Sequence, residues 1–191
     1  MQYKLTTPCT AEDLAPLKAG DTVLLSGVVY TARDQAHKRM LEALDKGEKL
    51  PFDLEGSAIY YVGPTPERPG EIIGSAGPTT SGRMDAMSPR LLDLGNKIMI
   101  GKGKRDAAVK EAVVRNGAVY LAALGGAGAL MAQSVKTLEV IAWPDLGCEA
   151  VRRLTVEDMP LTVILDAHGG DLYLSGPAAY KRQQGEVAKE L

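Results

Sequence analysis

Apolar positions recur along this chain with two periods, and the switches between them predict a mixed α/β fold with strands alternating with helices through the middle. Thr10-Ala-Glu-Asp13 resembles a capping box and opens a short helix to about Leu17. Thr22 to Thr31 is β-branched and apolar enough for a buried strand, in which Gly27 marks a bulge or a close approach. Ala36, Met40, Leu41 and Leu44 then fall at helical spacing and predict a helix from Arg33 or Asp34 to Lys46, closed by Gly47, with Asp34 as its N-cap. Ser57 to Gly63 is the next strand, and Pro64, Pro66 and Pro69 hold an extended connection after it.

Downstream, Pro89 to Leu94 makes a short helix stopped by Gly95, and Lys97 to Ile100 a strand. Asp106 caps a helix through Arg115, closed by Asn116-Gly117, and Ala118 to Ala122 is a buried strand. A glycine-rich turn at 124–129 leads into a helix. Leu138 to Trp143 and Leu161 to Asp166 read as strands, and His168-Gly-Gly-Asp171 as a hairpin turn into Leu172 to Leu174. Paired strands near the end, after alternation in the middle, point to a mixed sheet, without an internal repeat.

With 191 residues, the chain fits one domain spanning 1–191, with 176–191 as a peripheral helical tail. Lys plus Arg total 22 against 24 Asp plus Glu, so the net charge of -2 argues for neither a nucleic-acid nor a membrane partner. The first residues lack the apolar core of a signal peptide, which predicts a cytoplasmic protein. Cys9 and Cys148 have no metal-ligand spacing, so no metal ligands are expected.

The candidate chemistry lies in Ile72 to Asp85, IIGSAGPTTSGRMD, where strand-like residues break into glycines, hydroxyls and an arginine. Such a loop suits an anionic small molecule, although Gly, Pro and Ser also serve ordinary tight connections. It is neither a P-loop nor a dinucleotide fingerprint, because no Gly-Lys-Ser/Thr follows and Gly74, Gly77 and Gly82 have the wrong spacing.

Gly-Pro-Thr-Thr-Ser-Gly-Arg-Met-Asp at 77–85 resembles the signature of the beta region of iron-sulfur hydro-lyases, the class I fumarate hydratases and L-tartrate dehydratases. Three further stretches are similar to that family in the same order: Tyr30 to Arg39, Ile100-Gly-Lys-Gly-Lys104, and Gly117 to Gly126. The resemblance implies a swivelling β/β/α domain and a beta subunit that works in a hetero-oligomer with an alpha subunit, or forms a homodimer when alone. It also implies that the alpha subunit holds a 4Fe-4S cluster, since two cysteines cannot hold one. The implied reaction is hydration of fumarate to malate, or dehydration of L-tartrate, on a small dicarboxylate. Gly82-Arg-Met-Asp85 is closer to the fumarase version. A non-enzymatic anion-binding or assembly module is the alternative from another class.

Within this resemblance Arg33, Arg83 and Lys102 are the substrate's carboxylate clamps, each expected where a predicted strand gives way to a loop or helix, and Thr80 joins them. Lys102 is preferred to Lys104 because glycines flank it. Thr79 is the expected base, activated by neighbours, and His37 is the other candidate, either as an acid-base group or as a residue that orients Arg33. Asp85 is expected to pair with a cation or cap backbone N–H groups, and His168 to lie on the surface.

Overall fold

The computed structural model describes residues 1–123, 126 and 128–187, the last six of these without side chains. The predicted turn at 124–129 therefore lies partly outside the described residues, as do residues 188–191 of the tail.

Seven strands build one mixed sheet: β1 (Gln2–Thr6), β2 (Thr22–Thr31), β3 (Ala58–Tyr60), β4 (Ile98–Gly101), β5 (Val119–Ala122), β6 (Val135–Ala142) and β7 (Val151–Leu165). The strand order is β1-β2-β3-β4-β5-β7-β6. β1 to β5 pair in parallel, and β7 runs antiparallel to β5, β6 and β2. Because β2 and β7 also pair, β2, β3, β4, β5 and β7 close into a ring, and β1 and β6 lie outside it.

The period of two divides the core. Ala58, Tyr60, Ile98, Ile100, Val119 and Leu121 join Val23, Leu25, Val29, Leu154 and Val163 in a cluster to which every ring strand contributes. The alternate residues Ile59, Tyr61, Met99 and Tyr120 form a second cluster, covered by helices. Those helices are α2 (Asp34–Asp45), α3 (Ser88–Asp93) and α4 (Ala107–Arg115), which contribute Met40, Leu91, Leu92, Val109 and Val113. Strands buried on both faces read as continuous apolar runs, which is why β3 to β5 were visible in the sequence.

Three expectations change. The capping box does form, with Asp13 N–H on Thr10 and the Asp13 carboxylate on Thr10 N–H, but its helix, α1, covers only Ala11–Leu14. The strand expected at Leu161 to Asp166 is the end of β7, a strand of 15 residues. Leu172 to Leu174 is not a strand: after a single bridge between Leu165 and Asp171 the chain enters α6 (Leu172–Val187), with Pro177 inside it. The short helix α5 (Gly128–Gln133) precedes β6.

Gly27 is both a bulge and a close approach. The β2–β7 register shifts between Leu25 and Gly27, and at φ 101° a Cβ on Gly27 would lie 2.6 Å from Thr7 Oγ1 and 2.9 Å from Thr7 O. Gly27→Ala is expected to cost about 2 kcal/mol or more, from the disfavoured φ and the clash together. Urea unfolding checks this, and an unchanged midpoint would show that Thr7 yields without cost.

Candidate anion-binding site

β2 to β5 run the same way, so their C-terminal ends open at one edge of the sheet, where sheet-based folds collect ligand groups. Arg33 follows β2 and Lys102 follows β4. The hydroxyl-rich loop docks between them: Thr79 N–H donates to Tyr61 O (2.8 Å), and Thr80 forms a short parallel bridge with Lys102. Ser81 N–H donates to Lys102 O (2.9 Å), and Lys102 N–H donates to Ser81 Oγ (3.0 Å). A Cβ at position 101 would lie 1.9 Å from Ser81 Oγ, so Gly101 makes room for Ser81 rather than for a ligand. Arg83 is not at a strand end; it sits in a 3-10 turn, Ser81–Met84.

The charges at this edge form a chain. Asp34 lies 3.4 Å from the Arg33 guanidinium and 3.9 Å from that of Arg83, and Glu149 lies 3.4 Å from Arg33 on its other side. The Arg83 side chain is 57% exposed and that of Arg33 18%, so Arg83 keeps more of its donors facing solvent. Thr80, Lys102 and Lys104 are exposed and Thr79 is half-buried. The structure thus brings Arg33 and Arg83 together through Asp34, and Thr80 and Lys102 together through the backbone.

Asp34 is not the N-cap of α2. The N-cap is Arg33, whose side chain makes no capping bond, and Asp34 is the first helical residue. Glu149 takes that role from outside the helix, accepting the Gln35 N–H at 2.9 Å. His37, on the same helix, is fully buried with Nδ1 3.0 Å from Arg33 O, and its ring meets Tyr61 edge-on at 5.3 Å. Burial pushes its pKa down to about 4, and the charge of Arg105 acts the same way.

Below the loop, Asp85 pairs with a cation and also caps a backbone N–H. One oxygen accepts Arg105 Nε at 2.5 Å and the other the Asp106 N–H at 2.7 Å. Arg105 also donates to Ser88 Oγ (2.9 Å) and lies over the Tyr61 and Tyr120 rings at 5.3 and 5.0 Å. Sequence reasoning did not single out Ser81, Tyr120, Arg105 or Glu149. Ser81 and Tyr120 lie inside matched stretches, and Gly101, opposite Ser81, was the signal available for the first.

The residues described do not fit an iron-sulfur cluster. Among them, no three His, Cys, Asp or Glu side chains converge as metal ligands. Cys9 is buried and its thiol pKa is pushed up to about 11 by that burial, against the thiolate a cluster needs, and Cys148 is exposed. A separate cleft of about 540 Å³ lies beside the loop's approach, lined by Arg68, Glu71, Ile72, Ile73, Ala129 and Gln133. None of the expected site residues lines it. Among the described residues no helix is long and apolar enough to cross a membrane.

A mixed α/β domain with Arg33 and Lys102 just after its parallel strands β2 and β4, and with Thr79, Thr80 and Arg83 on the loop beside them, has residue types suited to a small anion. Comparison with known proteins makes the class specific. Residues 1–176 match the family described as Fumarase C-terminus. The chain is 39% identical to fumarate hydratase 2 of Leishmania major over 168 residues, 85% of this chain and 29% of that protein. It is 40% identical to the aerobic class I fumarate hydratase of Escherichia coli over 151 residues, 78% of this chain and 28% of that protein. It is 31% identical to the L(+)-tartrate dehydratase subunit beta of Escherichia coli over 196 residues, 100% of this chain and 96% of that protein. The chain belongs to the fumarase C-terminal family, and it spans less than a third of the fumarate hydratases it matches.

His37 supplies a stability test. Its folded-state pKa lies below the value near 6.5 expected when unfolded, so on acidification the unfolded chain takes up the proton first. Its contribution is therefore complete above about pH 6.5 and is lost as pH falls towards about 4, by on the order of 3 kcal/mol over the window. His37→Asn should flatten that part of the stability profile relative to wild type, measured by denaturant unfolding at several pH values. Parallel profiles would show that His37 is not held neutral.

Proposed function

We propose that this chain is the beta component of a hydro-lyase that adds water to, or removes it from, a small dicarboxylate in the cytoplasm. The observation that supports this is that Arg33 and Arg83 share Asp34 while Thr80 and Lys102 share a backbone bridge, all within the segments that resemble the family. Arg33 and Arg83 hold carboxylate oxygens through their planar forks, Lys102 adds a point charge, and the Thr80 hydroxyl completes the cradle. Thr79 Oγ1 handles the proton at the reacting carbon. Buried and held neutral, His37 is read as the residue that orients Arg33 through its carbonyl.

The alpha subunit, on this reading, holds the iron-sulfur cluster, whose open iron supplies Lewis-acid chemistry when bound, and adds the remaining groups of the site. Hydration of fumarate to malate is the reaction proposed first, from the Gly82-Arg-Met-Asp85 version of the loop. Dehydration of L-tartrate is the second, because the relative that the chain spans almost end to end is named a tartrate dehydratase beta subunit. Both Asp85 oxygens are taken, by Arg105 Nε and the Asp106 N–H, so on this reading the fumarase-like version of the loop acts through Gly82. The test is to purify the chain alone and with a candidate alpha subunit under anaerobic conditions, then assay both substrates. Turnover confined to the mixture supports the reading, and no turnover in either leaves an anion-binding module.

In that complex Arg83→Lys should lower kcat/KM about ten- to a hundredfold, roughly 1.5 to 3 kcal/mol, because an ammonium cannot replace the bidentate fork. Unchanged kinetics would make Arg83 an ordinary surface charge. Thr79→Val should lower kcat much more than it raises KM, while His37→Asn leaves both limbs of the pH profile in place. A near-normal kcat in the first variant together with a lost limb in the second would move the proton to His37.

A further inference from the structure

Tyr120 is fully buried, and its hydroxyl lies 3.0 Å from Ser81 Oγ and 3.0 Å from Gly103 O. A phenol has one proton, and a carbonyl can only accept. The Tyr120 proton therefore goes to Gly103 O, and Ser81 donates its own proton to Tyr120 Oη. Ser81 Oγ in turn accepts the Lys102 N–H at 3.0 Å. The directions form one relay: Lys102 N–H to Ser81, Ser81 O–H to Tyr120, and Tyr120 O–H to Gly103 O. It begins and ends on the same loop.

From the other side Gly103 N–H donates to Tyr173 Oη at 3.1 Å, so a tyrosine hydroxyl fixes each side of this glycine, whose φ is 86°. Tyr173 is anchored by its own N–H on Asp171 (2.9 Å), and Asp171 is paired with Lys110 at 2.7 Å. Burial pushes the Tyr120 pKa up, which keeps its proton in place to be donated. The exposed Lys102 thus stands on a backbone whose neighbours are held by three hydroxyls.

We infer that Ser81 and Tyr120 are positioning residues that lock the Lys102 loop onto the hydroxyl-rich loop, with Tyr173 as the outer clamp, and so set where the lysine meets the anion. The assignment rests on the hydro-lyase reading for its kinetic consequence and on the hydrogen-bond geometry for the lock itself. In the complex, Ser81→Ala and Tyr120→Phe should each raise KM for the dicarboxylate about tenfold with kcat changed less than about threefold. The effect should vanish when Lys102 is already Met, as a double-mutant cycle requires of groups acting through one another. The same rise on top of Lys102→Met, or no rise at all, overturns the assignment.

Amide exchange on the full chain without its partner gives a readout independent of turnover. Ser81→Ala should speed exchange at the Lys102 amide about tenfold or more while the melting temperature moves by a few degrees at most. Tyr120→Phe, which keeps the ring beneath Arg105, replaces Ser81→Ala if that variant fails to fold, and should loosen the Gly103 end. Unchanged exchange in the folded variants overturns the lock. A wild-type complex that turns over neither fumarate nor L-tartrate would remove the hydro-lyase reading, and the exchange rates would still decide the lock.

Discussion

The buried ion pair between Asp85 and Arg105 holds the candidate site in place. Arg105 comes from the segment between β4 and α4 and Asp85 from the end of the hydroxyl-rich loop, so the pair joins segments about twenty residues apart. Ser88 Oγ accepts a further N–H of the guanidinium, which lies over two tyrosine rings, and the second Asp85 oxygen accepts the Asp106 N–H where α4 begins. A charge buried this deeply is tolerable only when its donors are used, and removing one partner of such a pair costs roughly 3 to 5 kcal/mol. The loop that carries Thr79, Thr80 and Arg83 is thus anchored at its Asp85 end by this pair.

On that foundation the site divides into held and available charges. Arg33 is occupied by Asp34 and Glu149, and Asp34 reaches towards Arg83 without closing to a tight pair. Arg83 and Lys102 are the more exposed cations of this edge, and Arg33 is the more buried. Its own acid groups keep this edge from being a bare cluster of positive charge, which would be costly to assemble. The nearby cleft has a different character, lined by one arginine and one glutamate, Arg68 and Glu71, together with apolar Ile72 and Ile73.

Where local chemistry decided the structure, the sequence was readable. Thr10 and Asp13 made their box, β2 runs from Thr22 to Thr31 as its β-branched run required, and Asp106 caps α4 through the Val109 N–H. Only the end of β7 was legible, because Arg152, Arg153, Glu157, Asp158 and Pro160 interrupt the apolar residues before Leu161. Its identity as a strand comes from pairing with β2, β5 and β6, which are distant in sequence. β1 was missed because only Tyr3 and Leu5 touch the core. At the site, the residue types and their order were legible, but the partners were not. Nothing local to Arg33 announces Glu149, and nothing local to Ser81 announces Tyr120, because each contact depends on how the ring of strands closes.

The most direct measurement is a crystal structure of the chain with its alpha partner and a bound dicarboxylate. A carboxylate of the ligand should lie within about 3.2 Å of both the Arg83 guanidinium and the Lys102 ammonium, with Thr79 Oγ1 facing the carbon between the carboxylates. A ligand seated in the cleft beside Arg68 and Ile72, with Arg83 and Lys102 still in solvent, would contradict the account.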